Sequence, residues 1–190
     1  MKLYDKLPNS IVFNGKRVRL NLGFKNVLRM IDTLCRNDLI IEARDFLALK
    51  CVCRHPKKGM LPAVKHLLFP NMGEKHTGNR ITDYEQDAEL IIAAFRQTYG
   101  IDLFTNNIHW FEFNALLSAL PAGNRYTDIL HIRAKPIPSP TKYNIEERNW
   151  LIKAKAEYAV KLSDEEREQT LSKSISIVYK YLVAHSMEGE

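Results

Sequence analysis

The chain has 190 residues, of which 45% are hydrophobic, so it is long and apolar enough to bury one sizeable core. No stretch approaches the roughly 18 consecutive apolar residues of a membrane helix, and Lys2, Asp5 and Lys6 interrupt the start, so neither a membrane span nor a signal peptide is expected. The three cysteines are an odd number, which favours free thiols in a reducing cytoplasm over a disulfide framework.

The net charge of +6 is unevenly distributed along the chain. Residues 1–80 carry 16 Lys and Arg against 6 Asp and Glu, whereas residues 81–190 carry 12 against 16. A basic half can contact nucleic acid, an acidic protein partner or another copy of the chain. Because no nucleic-acid-binding motif accompanies the charge, nucleic-acid binding is kept as an alternative and is not the main prediction.

Residues 11–20 predict a β-hairpin, because two β-rich runs flank an Asn14-Gly15 pair that is well suited to a type I′ turn. Three basic residues follow the turn: Lys16, Arg17 and Arg19. Alternation places Arg17 and Arg19 on one face of the strand, opposite Val18. They form either a solvated edge that discourages strand aggregation or a contact surface for an acidic partner.

The next segments predict three short helices. An apolar stripe that begins at Phe24 predicts the first one. Asp38 is the predicted N-cap of a second helix over residues 39–54. That helix is apolar around most of its circumference, so it is expected to be central and buried. A third helix is expected to begin near Pro62, where a missing N–H costs nothing.

The middle of the chain predicts three further helices. Thr82 or Asp83 is the expected N-cap of the first, with a capping-box partner at the matching third position. Gly100 suits the left-handed position at the end of that helix. A helix over residues 108–120 and a shorter one over 127–133 follow.

The C-terminal part predicts a linker and a helical hairpin. Residues 134–143 contain three prolines and predict a stiff connector between a core at 1–133 and a unit at 144–190. Two capping-box patterns, Asn144 with Glu147 and Ser163 with Glu166, predict helices near 145–162 and 164–186. The fold class is therefore mainly α, with an N-terminal β-hairpin, about seven helices and a C-terminal helical hairpin.

The last predicted helix carries an apolar stripe at coiled-coil-like spacing. The stripe comprises Leu171, Ile175, Val178 and Leu182. It either packs against the preceding helix or binds an amphipathic helix of another protein.

The sequence contains no motif that predicts catalysis, a cofactor or a metal ion. Cys51 and Cys53 point about 200° apart on a helix and cannot easily share a metal, and Cys51 with His55 has no second ligand pair. His109 and Glu112 could form an acid–base pair, but no nucleophile accompanies them. We therefore expect a protein that is not an enzyme.

Three motifs between residues 83 and 120 resemble the siphophage "gene product fifteen" family, whose match extends over most of residues 3–160. The first motif comprises Asp83, Tyr84, Glu85, Asp87, Ala88 and Glu89. The second is Tyr99, Gly100, Ile101, Asp102 and Leu103. The third is His109, Trp110 and Phe111, which lead into Ala115, Leu116 and Leu117. We expect these signature residues to lie mainly in the core.

The resemblance implies a non-enzymatic role in phage tail assembly. Genes of this family commonly precede the tape-measure gene, a place that usually belongs to tail assembly chaperones. The implied function is a chaperone that binds the tape-measure protein in the host cytoplasm and is absent from the mature virion. The tail-tube protein and a second copy of the chain are further candidate partners, and contact with a membrane is not expected.

The expected contact surface combines the basic hairpin with the C-terminal apolar stripe. Its residues are Lys16, Arg17, Arg19, Leu171, Ile175, Val178 and Leu182. Two alternatives to the chaperone function stay open. One is a structural tail or connector component of the virion, and the other is a nucleic-acid-binding phage protein that uses the basic N-terminal half.

Overall fold

The computed structural model describes residues 5–70 and 81–161, together with Ile175. The described residues form two strands and seven helices, which confirms the predicted mainly α fold with its N-terminal hairpin. The elements are β1 Ser10–Phe13, β2 Lys16–Arg19, α1 Phe24–Leu34, α2 Ile41–Val52, α3 Leu61–Leu68, α4 Ala88–Tyr99, α5 Trp110–Ser118, α6 Arg125–Ala134 and α7 Ile145–Glu157. The chain divides into two compact units, Met1–Ala134 and Lys135–Glu190. Of the predicted helix over 164–186, all residues except Ile175 lie outside the described residues.

The hairpin has the predicted turn and the predicted facing of its side chains. Asn14 and Gly15 have φ angles of 50° and 70°, as a type I′ turn requires. The antiparallel register pairs Ile11 with Val18, and both side chains pack against the core. Arg17 and Arg19 therefore lie on the opposite, solvent-facing side of the hairpin, and Lys16 is exposed next to the turn on the face of Val18.

The core of the first unit is centred on the ring of Phe113. This ring stacks on Phe24 and Phe95, with centroid distances of 4.7 and 5.3 Å. Trp110 and Tyr84 contact the same ring from two further directions, at 6.0 and 6.3 Å. Aromatic pairs of this kind contribute about 0.5–1.5 kcal/mol each beyond the area they bury. Helices α1, α4 and α5 are thus joined through one aromatic cluster.

Asp38 does not cap α2, contrary to the expectation from its sequence position. The helix begins later, with Ile40 as its N-cap, and no side chain accepts a capping hydrogen bond. Asp38 stands two residues before this N-cap. Its carboxylate instead accepts from Arg36, whose Nε is 2.9 Å from Asp38 Oδ1.

The prediction that the second helix is buried all round was wrong. In α2 the buried residues are Ala48, Leu49 and Val52, which all lie in its C-terminal half. Four apolar side chains at its N-terminal end are exposed: Ile40, Ile41, Phe46 and Leu47. The sequence shows that the helix is apolar, but burial depends on what packs against it. In the described part of the chain, the core covers one face of its C-terminal half.

Two predicted capping boxes form differently from expectation. Asp83 does accept from the Glu85 and Gln86 N–H groups at 2.9 Å, but its own N–H donates to Asp87 Oδ2 at 3.0 Å. The carboxylate that completes this cap therefore stands four residues on, and the regular helix α4 begins only at Ala88. Before α7, the Asn144 side chain accepts from the Thr141 N–H at 2.8 Å and makes no capping bond to the helix.

Candidate binding surfaces

Asp87, from the first signature motif, forms a buried ion pair that fixes the start of α4 to the end of α6. Arg133 Nη1 donates to Asp87 Oδ2 at 2.7 Å, and its Nη2 donates to Asp87 Oδ1 at 2.9 Å. Arg133 also donates to the Ile81 carbonyl at 2.9 Å. The side chains of Asp87 and Arg133 are 1% and 6% exposed, so the ion pair connects the two helices in the interior and is not accessible to a ligand.

The second signature motif forms the turn after α4. Gly100 adopts the predicted left-handed conformation, with a φ angle of 66°. The Tyr99 hydroxyl donates to the Leu116 carbonyl at 2.8 Å and ties this turn to α5. Asp102 Oδ1 accepts from the Phe104 N–H at 2.9 Å, and this bond lowers the pKa of Asp102 below its ordinary value. The motif therefore closes a turn between two core helices.

His109, from the third motif, uses both ring nitrogens on the backbone. Its Nδ1 accepts from the Phe111 N–H at 3.3 Å, which makes His109 the N-cap of α5. Because Nδ1 is the acceptor, Nε2 carries the proton and donates to the Pro8 carbonyl at 3.0 Å. The ring thereby ties the segment before β1 to α5. Glu112, its predicted acid–base partner, is exposed one turn further along the helix.

The remaining signature residues also lie mainly at core positions. Leu103 and Trp110 are buried, and five further side chains are half-buried against the core: Tyr84, Ile101, Phe111, Leu116 and Leu117. Asp83 and Ala88 are half-buried at the start of α4, and Glu89 is exposed. The motifs that carry the family resemblance therefore account for the fold, and a partner surface has to be sought elsewhere.

A basic groove lies between β2 and the C-terminal end of α2. Its volume is about 950 Å³. Its lining residues are Arg17, Val18, Arg19, Leu20, Asn21, Lys50, Cys51, Val52, Cys53, Arg54, His55 and Lys57. Among these described residues five are Lys or Arg and none is Asp or Glu. One wall is held to the other by the Asn21 N–H, which donates to the Val52 carbonyl at 2.8 Å.

The groove brings together basic residues that the sequence placed in separate segments. Arg17 and Arg19 come from the predicted hairpin, whereas Lys50 comes from the end of α2 and Arg54 from the segment that follows it. Sequence analysis missed Lys50 as a member of this group. Helical spacing could not have indicated it, because α2 ends at Val52 and the backbone is extended at Cys53, before Arg54.

A set of exposed apolar side chains precedes the groove residues along α2. We call it the α2 apolar surface; it comprises Ile40, Ile41, Phe46 and Leu47. Ile41 shares a helical stripe with Ala48, but it stands beyond the part of the stripe that the core covers. Lys50 Nζ lies 5.8 Å from the centroid of the Phe46 ring, so Phe46 lies beside a cation of the groove wall.

The predicted C-terminal stripe can be placed at one position only. Ile175 is 60% exposed, whereas Leu171, Val178 and Leu182 lie outside the described residues. Of the predicted contact surface, the structure therefore describes the three basic residues of β2 and Ile175.

Within residues 5–70 and 81–161 there is no group of three or more His, Cys, Asp or Glu side chains that could hold a metal ion. The same described residues contain no helix long and apolar enough to cross a membrane. The three cysteines are free, with Cys35 exposed and Cys53 buried.

Comparison with known proteins identifies one relationship. The sequence model of a family described as bacteriophage Gp15 protein matches residues 3–160, which is more than four fifths of the chain. No curated protein matches the chain, and no solved structure does.

Proposed function

Because the chain belongs to the bacteriophage Gp15 protein family, we propose that it is a tail assembly chaperone that binds the tape-measure protein before the tail tube polymerises. A tape-measure protein is a very long helical protein, and its apolar stripes would aggregate if they stayed uncovered. A small protein that covers these stripes and is displaced by tube subunits needs apolar surface and moderate affinity. It works in the host cytoplasm and is absent from the finished particle.

The α2 apolar surface carries this proposal. Four exposed apolar side chains fall within eight consecutive residues, Ile40 to Leu47. An amphipathic helix can bury its apolar face against such a surface, and its anchors then recur at helical spacing. The neighbouring Lys50 offers a cation to acidic residues that flank those anchors. The surface therefore fits a helical partner better than a small ligand.

The test is co-expression of the chain with the tape-measure protein of the same phage. The disruptive variant is Ile41→Glu with Phe46→Glu, which replaces the first and sixth residues of α2. The matched control is Ile145→Glu with Trp150→Glu, which replaces the first and sixth residues of α7. The exposures are comparable, at 63% and 48% in α2 and 54% and 58% in α7.

We expect the tape-measure protein to be soluble and to co-purify with the wild-type chain and with the α7 variant. The α2 variant should fold, as judged by circular dichroism, but should leave the tape-measure protein insoluble. A tape-measure protein that stays insoluble beside the wild-type chain would refute the chaperone function. Loss of the complex in the α7 variant alone would move the contact surface to the second unit.

The composition of purified phage particles distinguishes the chaperone from the alternative, a structural tail or connector component. A chaperone should be missing from them, whereas a tail or connector component should be present in a fixed copy number. Quantitative mass spectrometry of particles from an induced lysate therefore decides between the two functions.

A further inference from the structure

The outer edge of β2 presents backbone groups that the hairpin does not use. In a hairpin with a two-residue turn, the residues that flank the turn form a hydrogen-bonded pair, and bonded residues then alternate along each strand. Lys16 and Val18 accordingly direct their N–H and C=O groups towards β1. Arg17 and Arg19 direct theirs outwards. In the described parts of the chain no strand pairs with this edge.

Two hydrogen bonds support this assignment of inward and outward groups. The Leu20 N–H donates to the Asn9 carbonyl at 2.7 Å, so Leu20 faces the first strand, as Lys16 and Val18 do. The Asn21 N–H donates at 2.8 Å to the Val52 carbonyl at the end of α2, so Asn21 faces outwards, as Arg17 and Arg19 do. The outward groups of Arg17 and Arg19 therefore lie on the side of β2 that faces the basic groove.

The charges around this edge are of one sign. Arg17 and Arg19 line one wall of the groove, and Lys50, Arg54 and Lys57 line the other. The Arg17 Nε–H donates to Ser10 Oγ at 2.9 Å, so this bond uses one of its five donors. Without a carboxylate among the described lining residues, the groove is complementary to an acidic partner.

The backbone groups distinguish a polypeptide from a nucleic acid. A phosphate group only accepts hydrogen bonds, so it could pair with the outward N–H groups but would leave the outward carbonyls unpaired. A polypeptide strand supplies both donors and acceptors and would satisfy the whole edge. In addition, no Phe, Tyr or Trp stands among the described lining residues, so the groove lacks the stacking surface that single-stranded nucleic acids use.

We propose that the basic groove binds an extended acidic polypeptide segment, which adds to the outer edge of β2 as a third strand. Partner residues opposite Arg17 and Arg19 point to the same face as these arginines, and carboxylates at these positions meet the guanidinium groups. The residues between them point to the face of Val18 and Leu20 and are apolar. The recognised pattern is therefore alternating acidic and apolar residues. This site is separate from the α2 apolar surface and does not depend on the chaperone function.

The test uses the full-length chain and two synthetic nine-residue peptides with capped ends. One alternates Asp with Val, and the other has the same composition with its Asp residues grouped at one end. Both have the same net charge, and grouped carboxylates have the higher local charge density, so a purely electrostatic contact gives no preference for the alternating peptide. We expect the alternating peptide to bind at least about tenfold more tightly in calorimetry at low ionic strength, and N-methylation of its central amides to abolish that preference.

Protein variants test the same contact from the other side. Arg17→Glu with Arg19→Glu should abolish peptide binding, whereas Lys142→Glu with Lys153→Glu makes the same change in net charge and should leave it unchanged. Arg19→Pro removes one outward N–H without removing a hydrogen bond inside the hairpin, and should weaken the alternating peptide selectively.

Three outcomes would overturn the proposal. Equal affinity for the two peptides would show a contact without strand pairing. Full binding of the N-methylated peptide would also show a contact without strand pairing. This result is obtained on the unaltered protein, so it stands even if Arg19→Pro unfolds the hairpin. Tighter binding of single-stranded DNA of equal charge, lost in the Arg17 and Arg19 variant, would identify the groove as a nucleic-acid site.

Discussion

Replacement of Asp87 by Ala should remove a large part of the stability of the first unit. The carboxylate accepts two hydrogen bonds from Arg133 and one from the Asp83 N–H, while its side chain is 1% exposed. Its loss leaves a guanidinium uncompensated in the interior, which destabilises a protein by about 3–5 kcal/mol. Because whole domains are stable by about 5–15 kcal/mol, we expect about a fifth or more of the stability to disappear.

Replacing both partners shows whether the loss of stability comes from the unpaired charge or from the unfilled volume. Asp87→Leu with Arg133→Met keeps the volume filled and removes both charges, and such exchanges are often neutral or stabilising. Here the half-buried Asp83 N–H still loses its acceptor, which costs about 1–3 kcal/mol. The double variant should therefore be more stable than either single variant and less stable than the wild type.

Tryptophan fluorescence during urea unfolding measures this change in the unit that contains it. The chain has two tryptophans, and Trp150→Phe leaves the buried Trp110 as the sole reporter of the first unit. With a urea dependence of about 1–3 kcal/mol per molar, Asp87→Ala should lower the midpoint by at least about 1 M. A loss below about 1 kcal/mol, or a double variant that loses the sum of the single losses, would refute the reasoning.

Three further predictions concern single positions. A Cβ at buried Gly23 would collide with the exposed Asn107 amide, which can move away by giving up its hydrogen bond from the Lys25 N–H, so Gly23→Ala should cost about 0.5–1.5 kcal/mol in urea unfolding, and much less in an Asn107→Ala background. Burial, followed by the charge of Glu85, raises the pKa of Asp32, so the folded chain holds this proton more tightly than the unfolded chain. This tighter proton binding stabilises the folded chain at low pH, and the stabilisation is lost as pH rises through the pKa of Asp32 in the folded chain. Asp32→Asn should therefore raise the melting temperature at pH 7 and not at pH 3. His109→Ala removes the cap of α5, so it should cost about 1–2 kcal/mol and leave binding of the acidic peptide intact; lost binding in a folded variant would contradict a structural role.

Local chemistry made the hairpin and the ends of several elements predictable. Asn14-Gly15 has few alternatives to a type I′ turn, and Gly100 has few competitors for a left-handed helix end. Features that depend on distant segments could not be read in this way. Asp87 and Arg133 stand 46 residues apart, and neither has a local pattern that indicates the other.

The candidate surfaces were predictable in composition but not in position. The excess of Lys and Arg in residues 1–80 indicates a basic region, and alternation places Arg17 and Arg19 on one face. That these residues meet Lys50 depends on how β2 packs beside the end of α2. The same limit explains the error on α2, since a periodic pattern shows which residues are apolar but does not show which are covered.

The signature residues lie mainly at core positions, whereas the two candidate binding surfaces consist of other residues. Substitutions at the groove or on the α2 apolar surface fall away from Asp87, Gly100 and His109, and surface changes of this kind usually alter stability by less than about 0.5 kcal/mol. Substitution of a few outward-facing residues would therefore change the contacts with a partner and leave the framework intact. Divergence among relatives should be fastest on these two surfaces, while the inward motifs continue to mark common descent.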